Sequence, residues 1–589
     1  MTDGEEETVG EMSEGLQVEL FHPESDREPG DTNIQRFGFD IHPVVFPIAL
    51  LLIGLFIAVT IVLGQDAASA YAEVRSFFEG NFGWFYLLAV NLFIVAVLYF
   101  ALSKYGKIKI GGVEAEKEFG DFAWMAMLFS AGMGIGLMFF SVLEPVFYFS
   151  STPGFWGVES GTGAAAQAAM AQTFFHWGFH PWAIYGLVGL GLAFFSFNRG
   201  LPLTFRSIFW PLLGERIYGW AGHLIDLVTV FATLFGLATS LGLGVAQVNT
   251  GLSYVGGNIL GVVDIPTGTF PQIALIAGIT AIATISVAAG LEGGVKRLST
   301  LNLYLMLLLL GFLMLVGPTL YIFSSWVEGL GVYFQNLLSL SFFTGAMGEG
   351  GGTVGAWTVF YWAWWIAWSP FVGMFIARIS KGRTVREFVI GVLFLPSLFS
   401  FIWLATFGGS ALADSVQSEG AGAVVGAYNE LGYGTFQTLG MFVTLEQFPL
   451  GAISGSIATL LVITFFVTSS DSGSLVIDHL TSGGKHDVPR VQRIFWAITE
   501  GAVAAILLYG GGLGALQTAA IATGFPFAII LTLMIYTVYL GLREEYEILE
   551  SREFAETVQD LSEERDVDVA TSGDAVVTDV SEGDVSQGD

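Results

Sequence analysis

One short stretch of the sequence contains a high density of aromatic side chains. The stretch FYWAWWIAWSPF, 360–371, has four tryptophans within seven positions. Tyr361, Trp365 and Trp368 have i, i+4 and i+7 spacing, so in a helix they share one face. Lipid-facing tryptophans normally occur singly or in pairs at the membrane interface. A cluster of this density therefore predicts the lining of a binding site.

The other residues of this stretch have different predicted roles. Trp362 and Trp364 point away from the shared face and are assigned to packing or to the membrane interface. Pro370 lacks a backbone N–H, so we expect it to break the helix around Trp368. The backbone groups freed by such a break would need polar partners within the membrane.

A second aromatic set occurs in FFHWGFHPWAIY, 174–185. With about 100° of rotation per residue, Trp177, Tyr185 and Trp182 fall within a sector of about 140° and can share a wall. A quaternary ammonium group donates no strong hydrogen bond and is recognised by ring faces, each contributing about 0.5–2 kcal/mol. Three or four rings supply on the order of 4–8 kcal/mol, enough for micromolar-to-millimolar binding. The two stretches together predict an aromatic box for such a cation.

His176 and His180 lie in this second stretch with i, i+4 spacing, which is compatible with a metal site. No acidic partner or third ligand accompanies them in the sequence, so we assign them no metal. The chain has no cysteine, which excludes disulfides, thiolate metal sites and cysteine nucleophiles. We predict neither an enzyme, nor an organic cofactor, nor a nucleic-acid partner.

The stretch FSAGMGIGLMFFSVLEP, 129–145, places Gly132, Gly134 and Gly136 at alternate positions. Small residues often mark close helix packing, but a two-residue spacing does not stay on one helical face. Glycine at this density also permits local unwinding, and transporter sites use unwound backbone at membrane depth. Packing explains the run poorly, so we favour an interrupted helix.

The stretch TFFVTSSDSGS, 464–474, is a hydroxyl-rich patch within an apolar segment. An isolated hydroxyl would bond back to its own helical turn, but three hydroxyls beside Asp471 exceed that need. A hydrolase serine is disfavoured because no nucleophile elbow or base surrounds it. Thr468 and Ser469 offer hard oxygen ligands, which favour a hard cation such as Na⁺.

These patches lie in a chain whose composition is that of a membrane protein. The 589 residues are 53% hydrophobic and 13% charged, with a mean hydropathy of +0.66. A helix needs about 20 apolar residues to cross the bilayer, and we predict an all-α polytopic membrane protein with twelve transmembrane helices. The predicted spans are 43–64, 83–103, 119–150, 166–197, 223–254, 270–290, 299–324, 355–379, 388–412, 452–480, 492–510 and 517–541.

The distribution of cations predicts that both termini are cytoplasmic. With that topology the inner loops and tails hold twenty-one of the twenty-two lysines and arginines, and only Arg75 falls outside, in agreement with the positive-inside rule. No cation is left deep in the bilayer of the cell membrane. An anionic substrate group must therefore be held by backbone N–H groups, hydroxyls or a bound metal cation.

The net charge of −30 comes mainly from the two ends of the chain. Residues 1–40 hold twelve acids and two arginines (−10), and residues 541–589 hold sixteen acids and three arginines (−13). We predict that both tails are largely disordered and solvated, and no basic n-region of a signal peptide precedes the first span. On the outside, 325–350 is predicted to be amphipathic, and the glycine-rich loop 413–450 is a candidate lid.

The stretches GMGIG, HWGFHPWAIY, FYWAWWIAWSPFVGMFIARISKGR and VTSSDSG resemble the betaine/carnitine/choline transporter family, and the match runs from about residue 40 to about residue 540. The resemblance implies a homotrimer with a LeuT-type fold, in which two inverted five-helix repeats (spans 3–7 and 8–12) follow two extra helices. The implied divisions are an acidic tail (1–40), the extra helices (41–118), the first repeat (119–324), an outer amphipathic segment (325–354), the second repeat (355–541) and an acidic tail (542–589).

The resemblance also implies the residues that contact the substrate. The aromatic box around a trimethylammonium group corresponds to Trp177, Trp182, Tyr185 and Trp365, and the further contacts to Trp368, Gly134, Gly136 and Phe371. Related choline carriers have an aspartate at the position of Gly136. Glycine there implies betaine, because betaine brings its own carboxylate and glycine lets backbone N–H groups approach it.

In the sodium-coupled members, one ion is held by carbonyls of the third span together with groups of the tenth. The corresponding residues are Ser130, Met133, Phe465, Thr468 and Ser469. A second sodium is associated with threonines of the fifth span and with a phenylalanine after the tryptophans, which Thr233 and Phe371 match. The chain departs from this second pattern at Leu237, one turn beyond Thr233, where a hydroxyl is expected.

We therefore predict Na⁺-coupled uptake of glycine betaine or a related compatible solute for osmoprotection, by alternating access. The alternative is a proton-coupled choline or carnitine carrier, with Asp471, Glu144 or Asp226 as the titrating group. A channel and a non-transporting osmosensor are the alternatives from other classes. The acidic segment 543–589 departs from the basic C-terminal helix of osmosensing members, so that mechanism is not carried over.

Overall fold

The structure is a computed structural model that describes residues 29–131, 134–289, 295–348, 350–418, 420, 422–485, 487–565, 569–572 and 575–578. The longer helices are α1 (Val45–Leu63), α2 (Ala67–Leu102), α3 (Asp121–Ala131), α4 (Ile135–Ser150), α5 (Gly163–Trp177), α6 (Phe179–Phe197), α7 (Trp220–Ser253), α8 (Thr269–Ala289), α9 (Val295–Val316), α10 (Thr319–Ser341), α11 (Phe360–Arg378), α12 (Val385–Gln417), α13 (Ala423–Glu446), α14 (Gly451–Thr481) and α15 (Arg490–Arg565). Two antiparallel hairpins pair β1 (Ile34–Arg36) with β2 (Phe39–Ile41) and β3 (Val569–Ser572) with β4 (Ala575–Thr578).

Ten helical segments of the described chain are long and apolar enough to cross a membrane. The predicted span 119–150 is divided between α3 and α4, which have only 11 and 16 residues. The predicted spans 492–510 and 517–541 lie on either side of a kink in α15, where the backbone of Gly511 and Gly512 is not helical, so that α15 consists of two consecutive helices that count as one segment. These two differences account for ten segments where twelve spans were predicted.

The interrupted helix predicted from the glycine-rich stretch is confirmed. Helix α3 ends at Ala131 and α4 begins at Ile135, and Gly134 between them has an extended backbone. The second aromatic stretch is also interrupted, at Gly178 between α5 and α6. A Cβ at Gly178 would lie 2.6 Å from the ring of Phe401, so glycine lets α12 pack directly against this break.

The prediction of a helix break at Pro370 is wrong, because α11 continues through Pro370 to Arg378. Proline has no N–H to donate to the carbonyl of Ile366, four residues earlier. The hydroxyl of Ser369 donates to that carbonyl at 2.7 Å instead. The carbonyl is therefore satisfied without interrupting the helix.

Two segments that the sequence assigns to the outer side differ from their predicted bounds. Helix α9 ends at Val316, before Gly317 and Pro318, and not at residue 324. Helix α10 then covers most of the predicted amphipathic segment 325–350. The candidate lid, 413–450, consists mainly of the end of α12 and of α13.

The prediction that the N-terminal tail is largely disordered does not hold for residues 29–40, which the structure describes as ordered. The β1–β2 hairpin precedes α1, and Asp40 pairs with Lys485 at 2.6 Å. The amide of Asn33 also donates to the carbonyl of Ser482 at 2.9 Å. Contacts with the loop between α14 and α15 order this segment, whereas residues 1–28 lie outside the described part of the chain.

The same prediction is wrong for the beginning of the C-terminal tail, because α15 continues to Arg565. Glu545 pairs with Arg199, and the Lys104 ammonium lies 4.3 Å over the ring of Tyr546. These contacts with the loops that carry Arg199 and Lys104 compensate for the weak apolar pattern of this part of the helix. Residues 579–589 lie outside the described residues.

Helix α11, which carries the first aromatic stretch, lies in the interior of the protein. It packs against α6, α7 and α15, and its residues 360–367 are buried. Helix α4 packs against α5, α7 and α12. The two aromatic stretches and the glycine-rich break are therefore brought together in the core.

Candidate functional site

A cavity lies where the interrupted helices meet α11. The residues that line it are Gly134, Ile135, Gly136, Leu137, Trp177, Tyr185, Ser240, Trp364, Trp365 and Trp368. The described lining therefore combines five aromatic rings with the first turn of α4 and contains no charged side chain. Of the eight substrate-contact positions predicted from the sequence, six line this cavity. A seventh, Trp182, packs beside it.

The rings stand at steep angles to one another. The centroids of Trp177 and Trp365 lie 5.2 Å apart with their planes at 85°, and those of Tyr185 and Trp365 lie 5.4 Å apart at 71°. Edge-to-face arrangements of this kind are favourable between aromatic rings. Three of the rings that line the cavity are therefore held at steep angles to one another.

Trp182 does not line the cavity, although the sequence groups it with Trp177 and Tyr185. Its side chain is only 1% exposed, and its ring packs against Tyr185 at a centroid distance of 5.3 Å and an angle of 82°. Trp182 therefore supports the Tyr185 wall from behind.

Trp364 lines the cavity, so the prediction that it points elsewhere is wrong. Its indole N–H donates to the hydroxyl of Ser240 on α7 at 3.1 Å. A Cβ at Gly136 would lie 2.6 Å from Trp364 and 2.8 Å from Trp177, so glycine admits both indoles against α4. Trp364 precedes Trp368 by four residues, and this spacing was the sequence signal for a shared face.

Two more indoles are held by backbone carbonyls of neighbouring helices. Trp365 donates to the carbonyl of His176 on α5 at 3.1 Å, and Trp368 donates to the carbonyl of Gly236 on α7 at 3.0 Å. Buried indole N–H groups normally need such partners. The hydrogen bonds therefore fix how the rings of α11 are oriented.

Behind the rings, Glu144 of α4 is completely buried and hydrogen-bonded. It accepts from the indole N–H of Trp177 at 3.0 Å and from the hydroxyl of Tyr361 at 2.7 Å, and it lies 2.5 Å from Nδ1 of His176. The other ring nitrogen of His176 lies 2.9 Å from the Thr358 hydroxyl. His176 thus has an acidic partner, which the local sequence did not reveal because it lies 32 positions away.

His180 belongs to a separate set of contacts. Its Nε2 lies 2.9 Å from the Ser341 hydroxyl and 3.2 Å from the side-chain oxygen of Asn91. Its ring stacks on that of Trp362 at a centroid distance of 5.5 Å, so Trp362 has the packing role predicted for it. Within the described ranges, no group of three or more His, Asp or Glu residues is arranged to hold a metal ion.

A second, larger cavity lies beside the first, and Trp368 lines both. Its other lining residues include Phe371, Phe465, Thr468 and Ser469, which the resemblance associates with substrate or sodium, together with Ser299, Asn302, Val372, Met374, Phe375, Arg378, Ser472, Leu475 and Val476. The Thr468 hydroxyl donates to the carbonyls of Thr464 and Phe465 at 3.0 and 3.2 Å and accepts from the Asn302 amide at 3.3 Å. The oxygen groups of one turn of α14 therefore border a cavity.

The structure describes the other residues of the predicted sodium sites to different extents. Ser130 lies in the last turn of α3, and Met133 is outside the described residues. Thr233 is completely buried in α7, and its hydroxyl donates to the carbonyl of Thr229 at 2.7 Å.

Two buried acids differ in how they are compensated. Asp226 pairs with Arg206 at 2.6 Å, so its charge has a partner. Asp471 is 1% exposed, and among the described residues neither of its carboxylate oxygens has a hydrogen-bond partner.

Comparisons with known proteins agree with this architecture. A family model described as BCCT, betaine/carnitine/choline family transporter, matches residues 44–547. The chain is similar to a glycine betaine/proline/choline transporter of Vibrio parahaemolyticus, with 45% identity over 542 residues that cover 89% of this chain and 94% of the relative. It is also similar to a probable glycine betaine transporter of Desulfitobacterium hafniense, with 43% identity over 495 residues, 84% of this chain and 96% of the relative.

The extent of these matches establishes the class of the protein. The family match includes all of the cavity-lining residues, and the similar proteins are named as transporters and not as enzymes. Together with the apolar helices, they identify a multi-pass membrane transporter. The chain belongs to the betaine/carnitine/choline transporter family.

Proposed function

We propose that this protein takes up glycine betaine, or a closely related trimethylammonium solute, with Na⁺ as the coupling ion. The observation that carries the proposal is the convergence of Trp177, Tyr185 and Trp365 on one cavity, with adjacent ring centroids 5.2 and 5.4 Å apart. Ring faces attract a methylated ammonium group, which offers no strong donor to other acceptors. The names of similar proteins include glycine betaine and support the same class of substrate.

The carboxylate of a zwitterion has a suitable partner at the same cavity. The segment 134–137 lines it, and α4 begins at Ile135. The first N–H groups of a helix have no intrahelical partners and carry partial positive charge, which favours an anion. We infer that backbone N–H groups near Gly136 hold the carboxylate while the rings hold the ammonium group.

The coupling ion is assigned to the turn of α14 that borders the second cavity. The carbonyl of Phe465 and the hydroxyls of Thr468 and Ser469 are hard oxygen donors, the type that binds hard cations. Helix α4 packs against α14, and carbonyls near Ser130 and Met133 would complete the set from the α3–α4 break. A second Na⁺ would use Thr233 and Phe371.

The proposed architecture has twelve crossings, with 119–324 and 355–541 as inverted repeats of a LeuT-type fold after two extra helices. The division at Gly134 and the kink in α15 are compatible with it. The proposed assembly is a homotrimer in the cell membrane with both termini in the cytoplasm. Substrate would reach the cavity by alternating access between the two sides of the membrane.

Uptake into liposomes tests the proposal. Glycine betaine has no net charge, so each co-transported Na⁺ moves one charge inward and contributes about 2.3 kcal/mol per 100 mV. We expect uptake of labelled glycine betaine to require external Na⁺ and to increase with an inside-negative potential. Choline, carnitine or ectoine should compete with the labelled substrate less well than unlabelled glycine betaine does. Equal uptake with K⁺ replacing Na⁺ would contradict sodium coupling, and protein-free liposomes are the control.

Proton coupling is the second candidate, and the unpartnered carboxylate of Asp471 is the observation that favours it. A buried acid without donors is stable only when it binds a proton or a cation. Uptake that persists without Na⁺ but stops with a protonophore would support this candidate. Non-saturating flux would indicate a channel, and binding without flux would indicate an osmosensor.

A further inference from the structure

Glu144 connects three helices that build the aromatic cavity, although it does not line the cavity itself. It belongs to α4, and its carboxylate accepts from Trp177 of α5 at 3.0 Å and from Tyr361 of α11 at 2.7 Å. His176, next to Trp177, contacts the other carboxylate oxygen at 2.5 Å. Groups from distant segments of the chain are thereby tied to one side chain.

We propose that Glu144 is a positioning residue that assembles the aromatic box before the substrate arrives. The inference rests on the proposed function, because it takes the box to be the site of a methylated ammonium group. Trp177 supplies one wall, and Tyr361 packs against it at a centroid distance of 5.5 Å and an angle of 74°. Fixing these rings in advance lowers the cost of ordering them when the substrate binds.

Burial makes this arrangement selective for one geometry. Glu144, His176 and Tyr361 are each inaccessible to solvent, and Trp177 is 2% exposed. Water therefore cannot replace the carboxylate as a partner for these donors, and each buried donor left unpaired is costly. A rotation of Trp177 away from the box would break its hydrogen bond without offering another.

Two substitutions separate positioning from proton transfer. In Glu144→Gln, the amide oxygen accepts from Trp177 and Tyr361, and the amide nitrogen donates to Nδ1 of His176. His176 then carries its proton on Nε2 and donates to Thr358, so all of these groups keep partners. In Glu144→Leu, a side chain of similar size leaves all of the donors without an acceptor.

Equilibrium binding of glycine betaine to the purified full-length protein, followed by tryptophan fluorescence, measures the effect. We expect the affinity of Glu144→Gln to remain within about 5-fold of wild type and that of Glu144→Leu to fall by about 20-fold or more. Tyr361→Phe, which keeps the ring and removes one donor, should weaken binding by about 2- to 5-fold. Sodium-driven uptake by Glu144→Gln should continue, because in this proposal the Glu144 carboxylate does not carry a proton.

Ser380→Ala is the matched control, because Ser380 accepts the indole N–H of the buried Trp124 at 3.0 Å, outside both cavities. It should leave the affinity unchanged. Wild-type affinity in Glu144→Leu, or a complete loss of uptake in Glu144→Gln, would overturn the inference. If Glu144→Leu fails to fold, Tyr361→Phe and Glu144→Gln still decide it.

Near-ultraviolet circular dichroism without substrate distinguishes this inference from the proposed function. We expect the aromatic signal of Glu144→Leu to differ from wild type and that of Glu144→Gln to match it. A wild-type protein that does not bind glycine betaine would refute the proposed substrate, whereas identical aromatic signals in all variants would refute the positioning role.

Discussion

The indole N–H of Trp365 donates to the backbone carbonyl of His176 at 3.1 Å. His176 lies next to the last residue of α5, just before the break at Gly178, where helical carbonyls have no intrahelical donor. The break therefore provides the acceptor that orients a ring of another helix. One interruption of the backbone both shapes the cavity and joins the two aromatic stretches.

Replacing Trp365 by leucine should weaken substrate binding. The ring faces of Trp177 and Tyr185 would remain, but one cation–π contact worth about 1–2 kcal/mol would be lost. We expect the KM of uptake to rise by about 5- to 30-fold. Trp403→Leu is the control, because it removes another buried indole, on α12 and outside both cavities, and it should leave KM unchanged. If KM is also unchanged in Trp365→Leu, the aromatic box is contradicted.

Gly136 and Gly134 should respond differently to alanine. A Cβ at Gly136 would approach Trp364 and Trp177 to within 2.6 and 2.8 Å, whereas a Cβ at Gly134 meets nothing within 4 Å. The backbone of Gly134 is extended, so alanine can adopt it. We expect Gly136→Ala to raise KM by about 10-fold or more as the indoles are displaced, with Gly134→Ala close to wild type. The reverse order in uptake assays would show that the cavity wall is misassigned.

Thr468 should determine the sodium dependence of uptake. Thr468→Ala removes a hydroxyl that lines the second cavity, and we expect the Na⁺ concentration for half-maximal uptake to rise by about 5-fold or more. Thr464→Ala is the matched control. Its hydroxyl, like that of Thr468, donates to two carbonyls of the preceding turn, those of Leu460 and Leu461, but Thr464 is not among the residues that line the second cavity. Sodium titrations that are identical for Thr468→Ala and wild type would exclude Thr468 as a ligand.

His42 should make the stability of the protein depend on pH. Burial, together with the charges of Arg206 and His223, lowers the pKa of His42 from 6.5 to about 3. The unfolded chain therefore binds a proton between these values while the folded chain does not. The stability contributed above pH 6.5 is lost progressively as the pH falls toward 3.

The loss has a structural cause, because neutral Nδ1 of His42 accepts from the backbone N–H groups of Val44 and Val45 at 3.2 Å. His42→Asn keeps a side-chain acceptor at the start of α1 but cannot titrate in this range. We expect the Tm of wild type to fall more steeply between pH 7 and pH 5 than that of His42→Asn. Parallel Tm profiles in thermal unfolding would contradict the assignment.

Much of the site could be predicted because its parts are local patterns. Trp365 and Trp368 share a helical face through their spacing, and alternate glycines in 132–136 predicted an interrupted helix, which α3 and α4 show. Pro370 shows the limit of such patterns. Its effect depended on whether a neighbouring hydroxyl could replace the missing N–H, and Ser369 does so.

The sequence by itself determined the all-helical membrane class, the aromatic stretches and the family resemblance, because bilayer thickness and helical periodicity act on contiguous residues. Only the tertiary structure decided that Trp364 lines the cavity, that Trp182 lies behind Tyr185, and that Glu144 is shared by Trp177 and Tyr361. The physical reason is that these roles are set by which distant helices approach one another, and close approach depends on side-chain volume and on buried hydrogen bonds.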